Sequence, residues 1–229
     1  MKKLNAFALV LFLLLNCFST KAQEEETPKK AGFITFNMTS PLLSYAPRWD
    51  VGYYRHLNER WLLGVEVGYG NYGSAINFKM DYEVIEKDYQ LFEIRPEVIY
   101  IMTPNRKSKR FFSGELYYIS HTDHFTTDSY EAGNYRYRFE QADYKRIKYG
   151  VNLNYGMIIN FTKNFGIIPK IGFGWRFRDV KYSNQVGLVE SLNGDEDEIE
   201  FPNTEGYITD SGKKSGPNFV FDVKLFFRM

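Results

Sequence analysis

Apolar and polar positions alternate along most of this chain, and the segment 61–70, WLLGVEVGYG, shows the alternation most clearly. Trp61, Val65 and Tyr69 share one parity, whereas Glu66 and three glycines share the other. Because successive side chains of a strand point to opposite faces, this pattern predicts a β-strand with one apolar face. The segment is about as long as a strand must be to cross a membrane.

The same pattern predicts eight strands, at residues 32–40, 47–57, 60–70, 85–102, 109–121, 144–159, 164–182 and 217–229. Their connections alternate between short ones, at residues 57–60, 102–109 and 160–164, and long ones, at residues 71–84, 122–143 and 183–216. An even number of strands lets a sheet close without an unpaired edge, which lipid would not tolerate. The predicted fold is all-β: an eight-stranded antiparallel up-and-down transmembrane β-barrel with its short turns on the periplasmic side.

The N-terminus predicts export. Lys2 and Lys3 precede an apolar stretch, and a small-x-small cleavage site ends at Ala22. Residues 1–22 therefore form a predicted signal peptide, residues 23–31 a charged periplasmic tether and residues 32–229 the barrel domain, which predicts the outer membrane of a Gram-negative bacterium as the location. Cleavage removes the chain's one cysteine, Cys17, and with it any Cys-based chemistry. A lipoprotein signal acylated at Cys17 is the alternative.

The outward parity of the predicted strands is apolar. The candidates for contact with lipid on the first, sixth, seventh and eighth strands are Ile34, Phe36, Met38, Ile147, Tyr149, Val151, Leu153, Tyr155, Met157, Ile171, Phe173, Trp175, Phe177, Phe219, Phe221, Val223, Leu225, Phe227 and Met229. Trp61, Tyr100 and Phe227 at one rim, and Tyr69, Tyr118 and Trp175 at the other, suit interfacial girdles. A soluble antiparallel barrel or sandwich would also alternate. Eight glycines on the charged parity favour the membrane barrel, because a narrow lumen needs room beside long side chains.

The inward parity is rich in charge. Strands three to five supply a mainly acidic half of the wall and strands six to eight a mainly basic half, so the two halves should pair across the lumen. The predicted lumen charge network is Glu66, Glu93, Arg95, Glu97, Glu115, Lys148, Lys170, Arg176, Asp222 and Lys224. Isolated charges away from water are costly, so these residues must pair or stay hydrated. A closed plug of salt bridges, which the narrow interior of an eight-stranded barrel favours, and a hydrated ion pathway both remain open.

Two prolines and a few candidate catalytic residues depart from this regular pattern. Pro96 and Pro169 lie within predicted strands, so we expect a β-bulge or a locally widened register at each. Ser120, His121 and Glu115 are residue types of an outer-membrane lipid hydrolase, but sequence neighbours in a strand point to opposite faces. We therefore predict no enzymatic activity and no cofactor.

The acidic segment 194–201, GDEDEIEF, lacks the ligand spacing of a Ca²⁺ loop and is predicted to be a solvated loop, with no metal site. A formal net charge of +1 gives no basic footprint for nucleic acid. The basic turn 104–110, PNRKSKR, should face the periplasm, either solvated or in contact with acidic headgroups or an acidic partner.

The long segment 122–143 is rich in tyrosine and arginine. The predicted outer-loop binding candidates are Tyr130, Tyr135, Arg136 and Tyr137, because Tyr and Arg are favoured at binding surfaces. The alternative is that strands five and six continue beyond the membrane as a ribbon.

With eight strands, short inner turns and a charged lumen, the chain resembles the OmpA/OmpX-like small barrels. The segments EIRPEVIY at 93–100, FFSGELYY at 111–118 and YGVNLNY at 149–155, with the strand at 166–176, are similar to an uncharacterised outer-membrane barrel family that carries an R-P-E-x-x-Y strand. The resemblance covers residues 32–229 and implies the fold but no activity. The chain departs from that family at Ile101, where an aromatic residue is usual, and in its long acidic last loop.

Three functions are therefore weighed. The first is a structural or interaction role, in which a barrel surrounded by outer-membrane lipid binds a protein or surface polymer through its outer loops. The second is a narrow pore for small solutes or ions, and the third is a lipid-modifying enzyme. The sequence identifies neither the partner nor the oligomeric state.

Overall fold

The computed structural model describes residues 32–74, 85–106, 108–132, 135–192 and 210–228. The predicted signal peptide, the tether and the acidic segment 194–201 lie outside the described residues.

Antiparallel strands make up almost all of the described chain. Their bounds are β1 Gly32–Asn37, β2 Trp49–His56, β3 Trp61–Asn71, β4 Gln90–Ile101, β5 Ser108–Ala132, β6 Tyr135–Asn160, β7 Phe165–Val186, β8 Val189–Leu192 and β9 Gly212–Arg228. A five-residue helix α1, Thr39–Leu43, follows β1, and a 3₁₀ turn, Tyr72–Ser74, follows β3. Among the described residues, no helix has the length and apolar character needed to cross a membrane.

Eight of the described strands close into a ring. Each of β1 to β6 pairs with the next strand in sequence, and β9 pairs with β7 on one side and with β1 on the other. The short β8 lies outside the ring and pairs with the outer end of β6. The prediction of an all-β, eight-stranded antiparallel up-and-down barrel is confirmed.

The two faces of the wall follow the predicted parity. Trp175 and Phe221 on the outer face are 46% and 59% exposed, whereas Glu66 and Lys170 on the inner face are 1% and 2% exposed. At the periplasmic end, the ring centroids of Trp61 and Tyr100 lie 5.0 Å apart. Tyr69 lies eight positions along β3 from Trp61, which at about 3.3 Å per residue and a tilt of about 40° separates the two girdles by about 20 Å. The apolar belt is therefore nearly as tall as the hydrocarbon that such barrels cross.

The first strand is shorter than predicted, because β1 ends at Asn37 rather than at residue 40. The Asn37 side-chain oxygen accepts hydrogen bonds from the backbone N–H and the hydroxyl of Thr39, at 3.0 and 2.7 Å. Such local side-chain bonds compete with the strand ladder. The chain turns into α1, whose Thr39 and Ser40 are buried.

Of the two irregularities predicted at each proline, the β-bulge was wrong. Pro96 pairs with Val65 of β3, and Pro169 pairs with Val223 of β9. Toward the other neighbouring strand, the residues before and after each proline also pair in one common register. Only the pairs next to the proline are missing there. A missing N–H thus interrupts the ladder toward one neighbour without inserting a residue.

The inward glycines make room mainly for aromatic rings rather than for long charged side chains. A Cβ atom on Gly64 would contact the Tyr54 ring, and one on Gly156 would contact the Phe111 ring. By contrast, Gly114 on the outer face has no described atom near this position. The side chains inside the barrel are therefore packed closely against the backbone of its wall.

Beyond the barrel, β5 and β6 continue as a ribbon. They contain 25 and 26 residues, whereas a transmembrane strand needs only about 9–11. The outer part of β6 pairs with β5 on one side and with β7 and then β8 on the other. The structure supports the ribbon that was predicted as the alternative for segment 122–143, and the binding role of its residues stays a prediction.

Candidate functional site

The lumen is filled in layers, and the layer at the periplasmic end is apolar. Phe33 stacks on Tyr54 at 5.3 Å between ring centroids and contacts Phe226 at 5.5 Å. The other buried members of this apolar layer are Leu62, Ile99, Ile101, Phe111, Ile158 and Ile168. Sequence reasoning missed this layer, although all its members lie on the inward parity.

An ionic layer lies next to it, and Lys170 of β7 is at its centre. The Lys170 Nζ lies 2.6 Å from Glu115 Oε2, 3.2 Å from Glu97 Oε1 and 3.4 Å from Asp222 Oδ2. Glu97 also accepts a hydrogen bond from Ser113 at 2.5 Å, and Glu115 accepts one from Asn152 at 2.8 Å. The basic strand β7 is thus linked across the lumen to the acidic strands β4 and β5.

A second cation of the ionic layer is Lys224 of β9. Its Nζ lies 2.6 Å from Glu66 Oε2 of β3 and 3.2 Å from the Tyr54 hydroxyl. That hydroxyl donates a hydrogen bond to Glu97 at 2.7 Å. Tyr54 therefore joins the apolar layer to the ionic layer.

Two arginines extend the network outward. Arg95 contacts Glu93 at 2.6 Å and Asp222 at 3.2 Å. Arg48, which precedes β2, donates to Glu93 and lies 3.5 Å from Asp50. Sequence reasoning missed Arg48 and Asp50, although both lie on the inward parity of β2 that Gly52 and Tyr54 share.

The last two members of the predicted network, Lys148 and Arg176, line a cavity of about 700 Å³ in the outer half of the lumen. The Lys148 Nζ lies 5.3 Å from the centroid of the Tyr117 ring. The charged residues on the wall of this cavity are Arg48, Arg95, Arg146, Lys148, Arg176 and Asp222. The predicted network therefore divides into a packed ionic layer and a basic cavity.

The outer ribbon has an aromatic core. Tyr130 stacks on Tyr182 at 4.2 Å and on Tyr137 at 5.2 Å between ring centroids. Tyr135 is 41% exposed, and exposed Arg136 donates to the Ser129 hydroxyl at 3.3 Å. Of the four predicted binding candidates, two thus take part in stacking within the ribbon and two lie on its surface.

A polar contact joins the ribbon strands near the barrel. The Asp143 carboxylate lies 2.8 Å from His124 Nδ1 and accepts a hydrogen bond from Asn184 at 2.6 Å. These two hydrogen bonds, that of His124 first, hold the pKa of the Asp143 carboxyl below its usual range.

The candidate nucleophile and base are apart. His121 is fully buried between the rings of Tyr89 and Tyr144, at 4.8 and 4.9 Å between centroids, whereas Ser120 is on the opposite face of β5. The described residues contain no group of three or more His, Cys, Asp and Glu side chains that could hold a metal ion.

No protein-family model and no curated protein matches this chain. Among solved structures, CarO of Acinetobacter baumannii is similar at 12% identity, covering 90% of this chain and 100% of CarO, with a TM-score of 0.40. CarO2 of the same organism matches at 13% identity, 87% and 98% coverage and a TM-score of 0.38. A major outer membrane protein from Thermus thermophilus matches at 10% identity, 87% and 99% coverage and a TM-score of 0.39.

The architecture of this chain follows from the two faces of its own wall. A closed antiparallel ring, an apolar exterior between aromatic girdles and an ionic interior are the arrangement of an outer-membrane β-barrel.

Proposed function

We propose that this protein is an integral outer-membrane barrel with a sealed lumen, whose outer ribbon binds a protein or a surface polymer. The observation that carries the binding role is the length of β5 and β6, which extends a paired sheet well beyond what the membrane requires. A solvated loop of the same length would not need a core of its own. The ribbon has one, in which Phe125, Phe139 and Ala142 are buried.

The sealed lumen is supported by the two packed layers. An apolar layer at the periplasmic end excludes water, and the ionic layer beside it fills the middle of the barrel with paired side chains that are 9% exposed or less. A narrow pore is the second candidate, and the cavity in the outer half of the lumen favours it. Both packed layers would have to open for a solute to pass.

The binding role is tested by site-specific photo-crosslinking in intact outer membranes. A photoreactive residue at the exposed ribbon position Tyr135 should give a discrete protein or polymer adduct. The matched control is the same residue at Leu153, which is 73% exposed on the apolar belt and should give only lipid adducts. Arg136→Ala beside the ribbon position should weaken the adduct.

The absence of a discrete adduct at Tyr135, or an adduct equally strong at Leu153, would contradict the binding role. A second variant tests the ribbon as a whole. Residues 126–141 are replaced by Asn-Gly, which joins the paired residues Phe125 and Ala142 through a tight turn. The barrel should still fold, and chemical crosslinking in intact outer membranes should no longer capture the partner that it captures with the wild type.

A further inference from the structure

The barrel wall is incomplete on the outer side of β1. The backbone N–H of Met38 donates to Val223 of β9 at 2.9 Å, and the chain then turns into α1. From Val223 outward, the described residues of β9 pair in a ladder with β7 alone. Pro217 lies on this edge, where its missing N–H limits strand pairing. The outer half of β9 is therefore an edge that α1 flanks without adding a strand.

The basic cavity reaches the outside of the barrel at this edge. Its wall includes Phe219 and Phe221, which are 79% and 59% exposed on the outer face, as well as Arg95, which is buried inside. Thr39 and Ser40 of α1 line it from the other side. On β4 to β7 the cavity wall contains inward residues alone, whereas on β9 it contains residues of both parities, at the edge that has no second strand neighbour. The opening therefore lies between α1 and β9.

The wall of the cavity attracts anions. Its described residues carry five cationic side chains and one carboxylate, that of Asp222, which is already held by Arg95 and Lys170. Arg48 and Arg95 are in turn paired with Glu93, so the other cations of the wall are Arg146, Lys148 and Arg176. Arg146 is 4% exposed, and its Nε has no hydrogen-bond partner in the described part of the chain. A buried donor without a partner is costly, and the fork of a guanidinium matches the oxygens of a phosphate.

The opening lies at the height of the outer aromatic girdle. The Phe219 ring lies 5.4 Å from that of Phe173, which is two positions from Trp175 on β7. Lipid headgroups lie at the level of such a girdle, and acyl chains begin just below it. A ligand at this place would meet cations inside the barrel and phenyl rings at its rim.

We propose that this cavity binds the phosphate headgroup of an anionic lipid of the outer leaflet, which enters between α1 and β9 and leaves its acyl chains against Phe219 and Phe221. A volume of about 700 Å³ accommodates such a headgroup. The proposed site is separate from the outer ribbon, and the proposal rests on the membrane location of the barrel.

The test uses the refolded protein in phosphatidylcholine nanodiscs that contain a small fraction of spin-labelled phosphatidic acid. Electron paramagnetic resonance measures the immobilised lipid, with spin-labelled phosphatidylcholine as the reference. The wild-type protein should immobilise phosphatidic acid selectively. Arg146→Gln and Arg176→Gln should each lower the association constant about tenfold, because each removes a charge-assisted contact. Lys145→Gln, on the exposed face of β6, should leave it unchanged.

Heat-modifiable gel migration establishes that each variant is folded. Arg176 is only half-buried, so its variant keeps the test valid if Arg146→Gln does not fold. Titration with inorganic phosphate in detergent micelles forms a second arm. Weak phosphate binding together with selective lipid immobilisation supports the proposal. Tight phosphate binding without lipid selectivity would contradict the lipid source, and equal immobilisation of both lipids, or no effect of either arginine variant, would overturn the site.

Discussion

Removing the Lys170 ammonium is the sharpest perturbation of the packed lumen. In Lys170→Met, the volume is nearly kept while Glu115, Glu97 and Asp222 lose the cation that lies 2.6 to 3.4 Å from them. Glu115 keeps its hydrogen bond from Asn152, but its other carboxylate oxygen loses the cation beside it. Removal of one partner from a buried ion pair lowers the free energy of unfolding by about 3–5 kcal/mol, whereas a solvent-exposed ion pair contributes only about 0–1 kcal/mol.

We therefore expect Lys170→Met to lower the free energy of unfolding by about 3–5 kcal/mol. The measurement is urea unfolding of the refolded barrel in lipid vesicles, followed by heat-modifiable gel migration and tryptophan fluorescence. Lys145→Met, at an exposed position of β6, is the matched control and should change stability by about 0.5 kcal/mol or less.

A double variant separates lost pairing from lost packing. Lys170→Met with Glu115→Gln removes the cation and its nearest anion together, so part of the lost stability should return. If Lys170→Met stays within about 1 kcal/mol of the wild type, the lumen charges are hydrated rather than packed, and the sealed-lumen argument fails.

Two further substitutions test the faces of the wall. Val65→Lys, half-way between the girdles on the apolar belt, should lower the free energy of unfolding in vesicles by about 2–4 kcal/mol, whereas Tyr69→Lys at the rim should lower it by about 1 kcal/mol or less; equal costs would argue against a bilayer around β3. Gly64→Ala should destabilise the barrel by about 1–3 kcal/mol, because its methyl group meets the Tyr54 ring, whereas Gly114→Ala meets no described atom and should be neutral in the same urea titration.

Much of the fold could be predicted from the sequence, because alternate residues of a transmembrane strand face the lipid and the lumen and are therefore alternately apolar and polar. Trp175 and Lys170 have opposite parity, which is a local property of the sequence. In the structure they lie on the outer and the inner face, as predicted. The ends of the elements depend on more than parity. The end of β1 depends on the Asn37 side chain, which bonds to the backbone two residues on. Both prolines kept their register because neighbouring pairings on both sides hold it.

The candidate site was less predictable than the fold. The sequence predicts that an acidic and a basic half-wall face each other, but it does not predict the individual ion pairs. The partners of Lys170 depend on the register of four strands. The apolar layer around Phe33 and Phe226 was not predicted, because the interior was expected to be charged throughout. The sequence predicts the basic half-wall that lines the cavity, but the position of the cavity could not be predicted, because it depends on the early end of β1 and on the opening beside α1.

The central claim is that the lumen is sealed, and single-channel recording in a planar bilayer tests it most directly. The mature protein is refolded, and its insertion is verified by heat-modifiable migration. The packed layers predict no stable unit conductance. A reproducible conductance step of constant size would contradict the account, and sensitivity of that step to Lys170→Met would trace the current through the ionic layer.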